Sequence, residues 1–453
     1  MFSSRLIVTL ALSITILVCF MNINRGLFAV SDKPVHNMNL GTSYGSIQEA
    51  INDPNTKDGH IILVSEGDYT ENVVVHKSVS LVGKNRDKTR IDGRGIGGSS
   101  VWLKADGSGI MNFTIIGGIV GIFVDRTNGS LIANNTITGT ADYAIYASHT
   151  ENCRIDGNTA GLNGASGILI TNSHDFVVIN NKVFSNPSYG LNANDSSNGL
   201  ISLNFAFNNH FDGIGLGMGT TNCTVCKNTV ENNTLRGIWV DYESTGNSIY
   251  LNNIVGNKIQ AIAAYQNSWD NGFEGNFWGN YTGLDANFDG ISDVAYVIDV
   301  NNIDHYPLLG RFSSYDIFKG RRVEIVSNSS INDLKFYTYN ATIKIKLCAN
   351  EVHGFCRINI PHNLIMAPYN VTVRNSQVIH VNDTLYDDGH SRWMYISYDN
   401  LADEIMIQGQ LSTDLLNSQE SPFTWIVIVA ATVAIVCIGV LLYVQRTRKL
   451  QKK

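Results

Sequence analysis

Between residues 285 and 293 the chain reads Asp-Ala-Asn-Phe-Asp-Gly-Ile-Ser-Asp. Asp285, Asn287, Asp289 and Asp293 place hard oxygen donors at positions 1, 3, 5 and 9 of this run, with Gly290 at the turn and the Ile291 carbonyl beside it. Calcium gathers oxygens from both carboxylates and carbonyls, so this order of donors predicts a bound calcium ion in a structural role. An unliganded Asp/Gly turn is the alternative. A second group is spread more widely. Tyr143, Tyr146, Tyr189, Asp212, Arg236 and Trp239 gather around one recurring position, with Phe123 in the same series and Asp195, Asp241 and Glu243 a turn later. Aromatic faces stack on the C–H faces of sugars while carboxylates take their hydroxyls, so the set predicts a surface for a polysaccharide or other glycan. Ordinary sheet surface, where aromatic residues are favoured anyway, is the competing account.

Catalysis would ask for more. Glycoside cleavage uses two carboxyl groups about 5–5.5 Å or 6.5–9.5 Å apart. Asp195 and Asp241 stand two repeats apart, about 10 Å at the spacing of stacked strands, which is too far. Asp241 and Glu243 share one turn and are the weak candidates for a hydrolase or lyase. Cys223 and Cys226 have redox-motif spacing, but no second pair accompanies them and no helix start is there to acidify a thiol, so burial is expected.

The elements that position these residues follow from a repeat. Asn135, Asn158, Asn181, Asn204, Asn228, Asn252 and Asn276 recur at steps of 23 or 24 residues. A small residue keeps the same step at Gly121, Ala144, Gly167, Gly190, Gly213, Gly237 and Ala261. An apolar residue follows each one, from Ile122 to Ile262, with another two positions on, from Val124 to Ala264. Apolar residues at alternate positions form one face of a strand. One coil per repeat would bury the isoleucine column against itself and pair every strand above and below. The asparagines are expected to form a structural amide ladder, since each carries a donor and an acceptor. At the N-terminal end, Ser46-Ile-Gln-Glu49 has the form of a capping box and predicts a short helix through Ile51 over the open edge.

The ends predict topology. Arg5 precedes fifteen mostly apolar residues, Leu6 to Phe20, which suits a signal peptide over 1–30, with a retained anchor as the alternative. Thr424 to Val444 is an apolar stretch about 31 Å long as a helix, enough to span a membrane. Arg446, Arg448, Lys449, Lys452 and Lys453 follow it, so a cytoplasmic tail over 445–453 and an extracytoplasmic bulk are expected. A net charge of −7 and the lack of a basic stripe elsewhere argue against nucleic acid as a partner. Eleven Asn-x-Ser/Thr sequons between Asn112 and Asn382 are compatible with a glycoprotein.

Two segments resemble a known family. Ser46 to Gly93, with IQEAI, EGDYTENVVVHKSVSLVGKN and RIDG, resembles the opening of NosD-type β-helix proteins of the carbohydrate-binding and sugar-hydrolase (CASH) class. Asn267 to Leu309, with NSWDNGFEGNFWGNYTGLDANFDGISD and HYPLL, resembles the closing segment of that family in archaeal surface proteins. The resemblance spans roughly residues 40 to 310 and implies a right-handed parallel β-helix. It also implies copper delivery, but the histidines are scattered and only His210 and Met218 come near one another in sequence, so no copper site is carried over. The 285–293 run has Tyr296 where an EF-hand needs a bidentate Glu, and is similar instead to the compact calcium loops of dockerin or thrombospondin type.

The expected order is therefore all-β: a parallel β-helix with its cap over 40–265, a closing segment over 266–310, a small antiparallel β-sandwich over 311–410, a polar stalk over 411–423 and the membrane helix over 424–444. The sandwich is read from short alternating runs such as LKFYTYNATIKIKL and GFCRINIP, and Cys348 and Cys356 are its candidate disulfide.

Overall fold

The computed structural model describes residues 34–349 and 353–418. The signal segment, the membrane helix Thr424 to Val444 and the basic tail lie outside the described residues. Among those described, no helix is long and apolar enough to cross a membrane. The chain divides into two compact units at Phe312 and Ser313.

In the first unit three sheets of eleven, ten and nine strands run along a β-helix of the right-handed type, all parallel apart from a hairpin at the N-terminal edge of the first. Each coil contributes one short strand to each sheet, as with Ile122–Asp125, Leu131–Ala133 and Thr136–Thr138. The period-two pattern decides which side chains turn inward. Ile122, Ile145, Ile168, Leu191, Ile214 and Ile238 pair in register up the nine-stranded sheet, and all are fully buried. Each such side chain contributes roughly 1.5–3 kcal/mol before entropy is counted. Ile262 departs from this column. It pairs with Trp239 and stands 37% exposed, while Ala261 takes the place above Ile238. The turn between Asn257 and Ala261 is one residue shorter than the turn between Asn233 and Ile238, and a one-residue slip moves every side chain to the opposite face.

A hydrogen-bonded ladder holds each corner of the coil. The predicted one runs from Asn135 to Asn276, each amide donating to the next at 2.9–3.1 Å. A second links Asn163, Asn186, Asn209, Asn233 and Asn257 at 3.0–3.2 Å and ends on the Gln260 side-chain amide oxygen. A third is built of hydroxyls, from Thr150 through Ser173, Ser196 and Thr220 to Ser244. These bonds satisfy buried corner amides that no strand can pair.

The ends are closed by different means. Val35–Asn37 and Thr42–Tyr44 form a hairpin that pairs antiparallel with Ile61–Val64. The predicted helix follows at Ile47–Asn52, with the Ser46 hydroxyl accepting from the Glu49 N–H. The Glu49 carboxylate returns to the Gly45 N–H at 2.9 Å, and Ile47, Ala50 and Ile51 are buried in the core. At the other end Trp269 and Trp278 are buried and cover the last coils.

The second unit packs a five-stranded and a four-stranded antiparallel sheet around one core that includes Val323, Ile343, Ile358, Ile396 and Ile407. The stalk expected from Leu411 onward is corrected over its described part. Thr413–Ser418 is a short helix, and Leu415 is buried in that core. Cys348 and Cys356 are both free thiols, Cys348 exposed and Cys356 buried.

Candidate functional site

The outer face of the nine-stranded sheet gathers most of the predicted ligand residues. One outward column begins with Val74, runs through Trp102, Phe123, Tyr146, Leu169, Asn192 and Gly215, and ends with Trp239 and Ile262. Its rings fall into two clusters. In the lower one Phe123 stacks on Tyr146 at 5.1 Å, and Tyr143 packs on Tyr146 at 5.4 Å. In the upper one Tyr189 stacks on Trp239 at 5.8 Å and meets Phe211 edge-on at 5.3 Å. Gly215 allows this, because the coil between Tyr189 and Trp239 then carries no side chain to separate the rings. A Cβ there would stand 3.3 Å from the Tyr189 ring and 2.6 Å from the Asn192 amide oxygen.

Arg236 braces the upper cluster. Its guanidinium lies 4.7 Å from the Trp239 ring centre and forks onto both Asp212 oxygens at 2.8 Å. Asp212 is therefore no surface ligand: it is fully buried, and its second role is to accept the Arg236 backbone N–H. Burial raises the Asp212 carboxyl above its usual range, against the pull of the guanidinium. Tyr189 is half-buried, and that burial raises its phenol, with Asp212 adding to the effect. Asp241 is half-buried just past Val240, and Glu243 is exposed in the turn with φ at +64°. Cys223 and Cys226 are buried, and burial pushes the Cys223 thiol up to about 11, which makes it a poor nucleophile.

The 285–293 loop coils on itself. Asp285 accepts the N–H groups of Asp289 and Gly290 at 3.0 Å, Asp289 accepts that of Ile291 at 2.8 Å, and Asp293 accepts that of Ala286 at 2.7 Å. Gly290 holds φ at +81°, as the predicted turn requires. Burial raises the Asp285 carboxyl, and the Asp289 charge adds to it. Among the described residues no three Asp, Glu, His or Cys side chains converge on one point. A calcium ion would thus depend on Asn287 and the Ile291 carbonyl beside the carboxylates.

Residues 65–283 match the family model described as periplasmic copper-binding protein (NosD). The coil is a NosD-type parallel β-helix. The donors present do not fit the copper of that description. Copper wants convergent imidazole or sulfur ligands, whereas Met218 and His210 are both exposed and no cluster of three donors forms among the described residues. Two curated relatives match over short stretches. A cell surface glycoprotein of Methanothermus fervidus is 43% identical over 103 residues, 23% of this chain and 17% of that protein. A probable ABC transporter binding protein NosD of Stutzerimonas stutzeri is 39% identical over 75 residues, 15% of this chain and 17% of that protein. The chain thus spans about a sixth of the length of either relative. Among solved structures, pectate lyase Pel9A superposes with a TM-score of 0.42 at 15% identity, over 56% of this chain and 78% of that one. The A-module of an Azotobacter vinelandii mannuronan C-5 epimerase gives 0.37 at 17% identity, over 53% and 95%.

Two further features of the sequence point to this geometry. The asparagines of the second ladder keep the same 23- and 24-residue steps as the first. Asp212 and Arg236 are an acid and a base one coil apart, which is the spacing of an ion pair between neighbouring strands.

Proposed function

We propose that this protein is a non-catalytic glycan-binding protein of the cell surface, with the nine-stranded sheet of its NosD-type helix as the binding face. The observation that carries this reading is the upper cluster, where Tyr189 and Trp239 meet across Gly215 beside an amide and an acid. A solenoid suits the task, because its ladders hold outward side chains at fixed spacing whatever those side chains are. The named cell surface glycoprotein among the relatives supports an extracytoplasmic setting, and Thr424 to Val444 is the proposed membrane anchor. Calcium at Asp285, Asn287, Asp289, Ile291 and Asp293 would steady the closing segment by neutralising carboxylates that now repel.

The test is a glycan-array screen on the detergent-solubilised full chain, run beside a reducing-sugar release assay. Binding without release is the expected result. Release that is lost in Asp241→Asn or Glu243→Gln would establish the rival function, a tethered polysaccharide hydrolase or lyase. An array with no bound glycan would end the reading.

A further inference from the structure

The antiparallel sandwich of the second unit protects its strand edges unequally. Among the described residues Ser330–Tyr337 and Ile365–Arg374 are the edges of the four-stranded sheet, and Val378–Asp387 is one edge of the five-stranded sheet. An edge strand offers unpaired N–H and C=O groups to any other strand, and an exposed apolar edge is a site of edge-to-edge association. Ser330–Tyr337 carries charge against this, an Asp333–Lys335 ion pair at 3.1 Å. Val378–Asp387 has the opposite character. Val378, Ile379, Val381 and Tyr386 are 36–53% exposed, and the strand opens on Val-Ile-His-Val with no proline, glycine or acid. Two register irregularities bend it, but they leave those apolar side chains in solvent.

This strand and the edge strand before it, joined through residues 375–377, each carry an Asn-x-Thr sequon. In Asn370-Val-Thr372 the asparagine and threonine are exposed while Val371 packs against the core, so the amide and the hydroxyl share the outward face. In Asn382-Asp-Thr384 the Asn382 amide oxygen accepts the Thr384 N–H at 3.1 Å, and Thr384 is exposed. Among the described residues neither Asn370 Nδ2 nor Asn382 Nδ2 makes a hydrogen bond. The Asn328-Ser-Ser330 sequon differs. Its Nδ2 donates to the His353 carbonyl at 3.0 Å and its oxygen accepts the Phe355 N–H at 2.9 Å, so that amide is committed to the sheet.

We propose that Asn370 and Asn382 are N-glycosylated, and that their glycans cover these two edges and keep copies of the chain from pairing edge to edge. In the transfer, Nδ2 attacks the anomeric carbon of a sugar carried on a lipid phosphate. The C–N bond forms as the C–O bond to the phosphate breaks. The lipid phosphate leaves with that electron pair, and one Nδ2 proton passes to a base of the transferase. Nδ2 must therefore be free to enter another enzyme's site, which suits Asn370 and Asn382 and excludes Asn328. A bulky, hydrated glycan does at these edges what charge does at Asp333 and Lys335. The proposal goes beyond the glycan-binding reading and shares with it only the extracytoplasmic setting.

The test begins with peptide mass spectrometry of the full chain taken from the membranes of the cells that make it. Trypsin cuts after Arg374 and so separates the two sequons. The peptides containing Asn370 and Asn382 should each carry an added sugar mass, and the peptide containing Asn328 should not. Thr372→Ala with Thr384→Ala removes both sequons and keeps both asparagines. This variant should at least double the particle mass in sedimentation of the detergent-solubilised chain, with an unchanged circular dichroism spectrum. Adding Ile379→Lys, which puts a charge on the apolar edge, should restore the wild-type mass. If the double variant folds poorly, Thr384→Ala alone is measured in its place. An unmodified asparagine at either position would overturn the proposal there, and protease treatment of intact cells then shows whether the extracytoplasmic setting falls with it. Sugar at both positions without added association in the variant, or association that Ile379→Lys leaves unchanged, would overturn the shielding role.

Discussion

Asp304 should make the stability of the β-helix fall as pH rises, and the size of the effect follows from its surroundings. The side chain is fully buried in the closing segment. One carboxylate oxygen accepts the Asn276 N–H at 2.7 Å and the Trp278 indole N–H at 2.8 Å, and the other accepts the Tyr306 N–H at 3.0 Å. It therefore terminates the first asparagine ladder, whose N–H groups all point toward it. These three donors favour the charged form, yet desolvation outweighs them and raises the carboxyl from 3.8 to about 7, with Asp270 contributing. Because the folded value lies above the unfolded one, the folded state keeps a proton that the unfolded chain has already lost. Stability from this group is complete below pH 3.8 and is lost as pH climbs toward 7. A displacement from 3.8 to about 7 corresponds to about 4 kcal/mol. Asp304→Asn cannot titrate. It should also lose the Tyr306 bond, since its amide nitrogen would face that N–H, a fixed cost of about 1–3 kcal/mol at every pH. The measurement is urea unfolding at constant ionic strength between pH 4 and 8, followed by tryptophan fluorescence, to which Trp269 and Trp278 in the closing segment contribute. The wild-type minus variant difference cancels the other carboxylates and should shift by about 4 kcal/mol in favour of the variant across that range. A difference that stays flat within about 1 kcal/mol would mean that Asp304 titrates as an exposed acid, and the account of its burial would fail.

Three further outcomes are expected. Ile238→Ala should cost about 2–5 kcal/mol in denaturant unfolding, and Ile262→Ala no more than about 0.5, because the shortened turn puts only the first in the core; equal costs would refute the register. Asn204→Ala strips the acceptor from both the backbone and the side-chain N–H of Asn181, and the donor from the Val178 carbonyl, so a loss of about 3 kcal/mol or more is expected in the same assay. Calcium near ~1 mM should raise the wild-type melting temperature by mass action and leave Asp289→Ala unmoved; a wild type indifferent to the ion would refute the proposed loop.

What the repeat discloses is the part of the fold that stacking constrains. Inward positions admit only residues that pack on their own kind in the next coil, so Ile122 through Ile238 keep one chemistry and their register is legible. The same holds for Asn135 through Asn276, where only an amide serves as both donor and acceptor at the corner. The hydroxyl ladder is harder to read, because serine and threonine exchange freely along it. Ile262 was misplaced for a different reason: Ala261-Ile262-Ala263 imitates the small–apolar pattern of the coils below, and the missing turn residue leaves no mark on the spacing of the small-residue column. Asp212 was misplaced because alternation assigns a side, whereas the Arg236 guanidinium is what draws it under.

Outward positions obey no such rule, and that freedom is what makes Gly215 and Gly217 informative. The column that Gly215 interrupts otherwise carries bulky side chains such as Trp102, Phe123, Tyr146 and Trp239, which protect strand backbone and favour extended conformations. Glycine inside a strand costs roughly 0.5–1 kcal/mol against alanine, and Ile214–Gly217 contains two of them in four residues. Neither holds a positive φ, so the backbone alone does not call for them. Close approach does: a methyl at either would run into an amide oxygen at 2.5–2.6 Å. The fold therefore spends stability twice at one place, on glycines in a strand and on an unpaired amide oxygen at Asn192. Packing returns part of this cost, because the glycine at 215 lets the Tyr189 ring stack on Trp239 at 5.8 Å across the intervening coil.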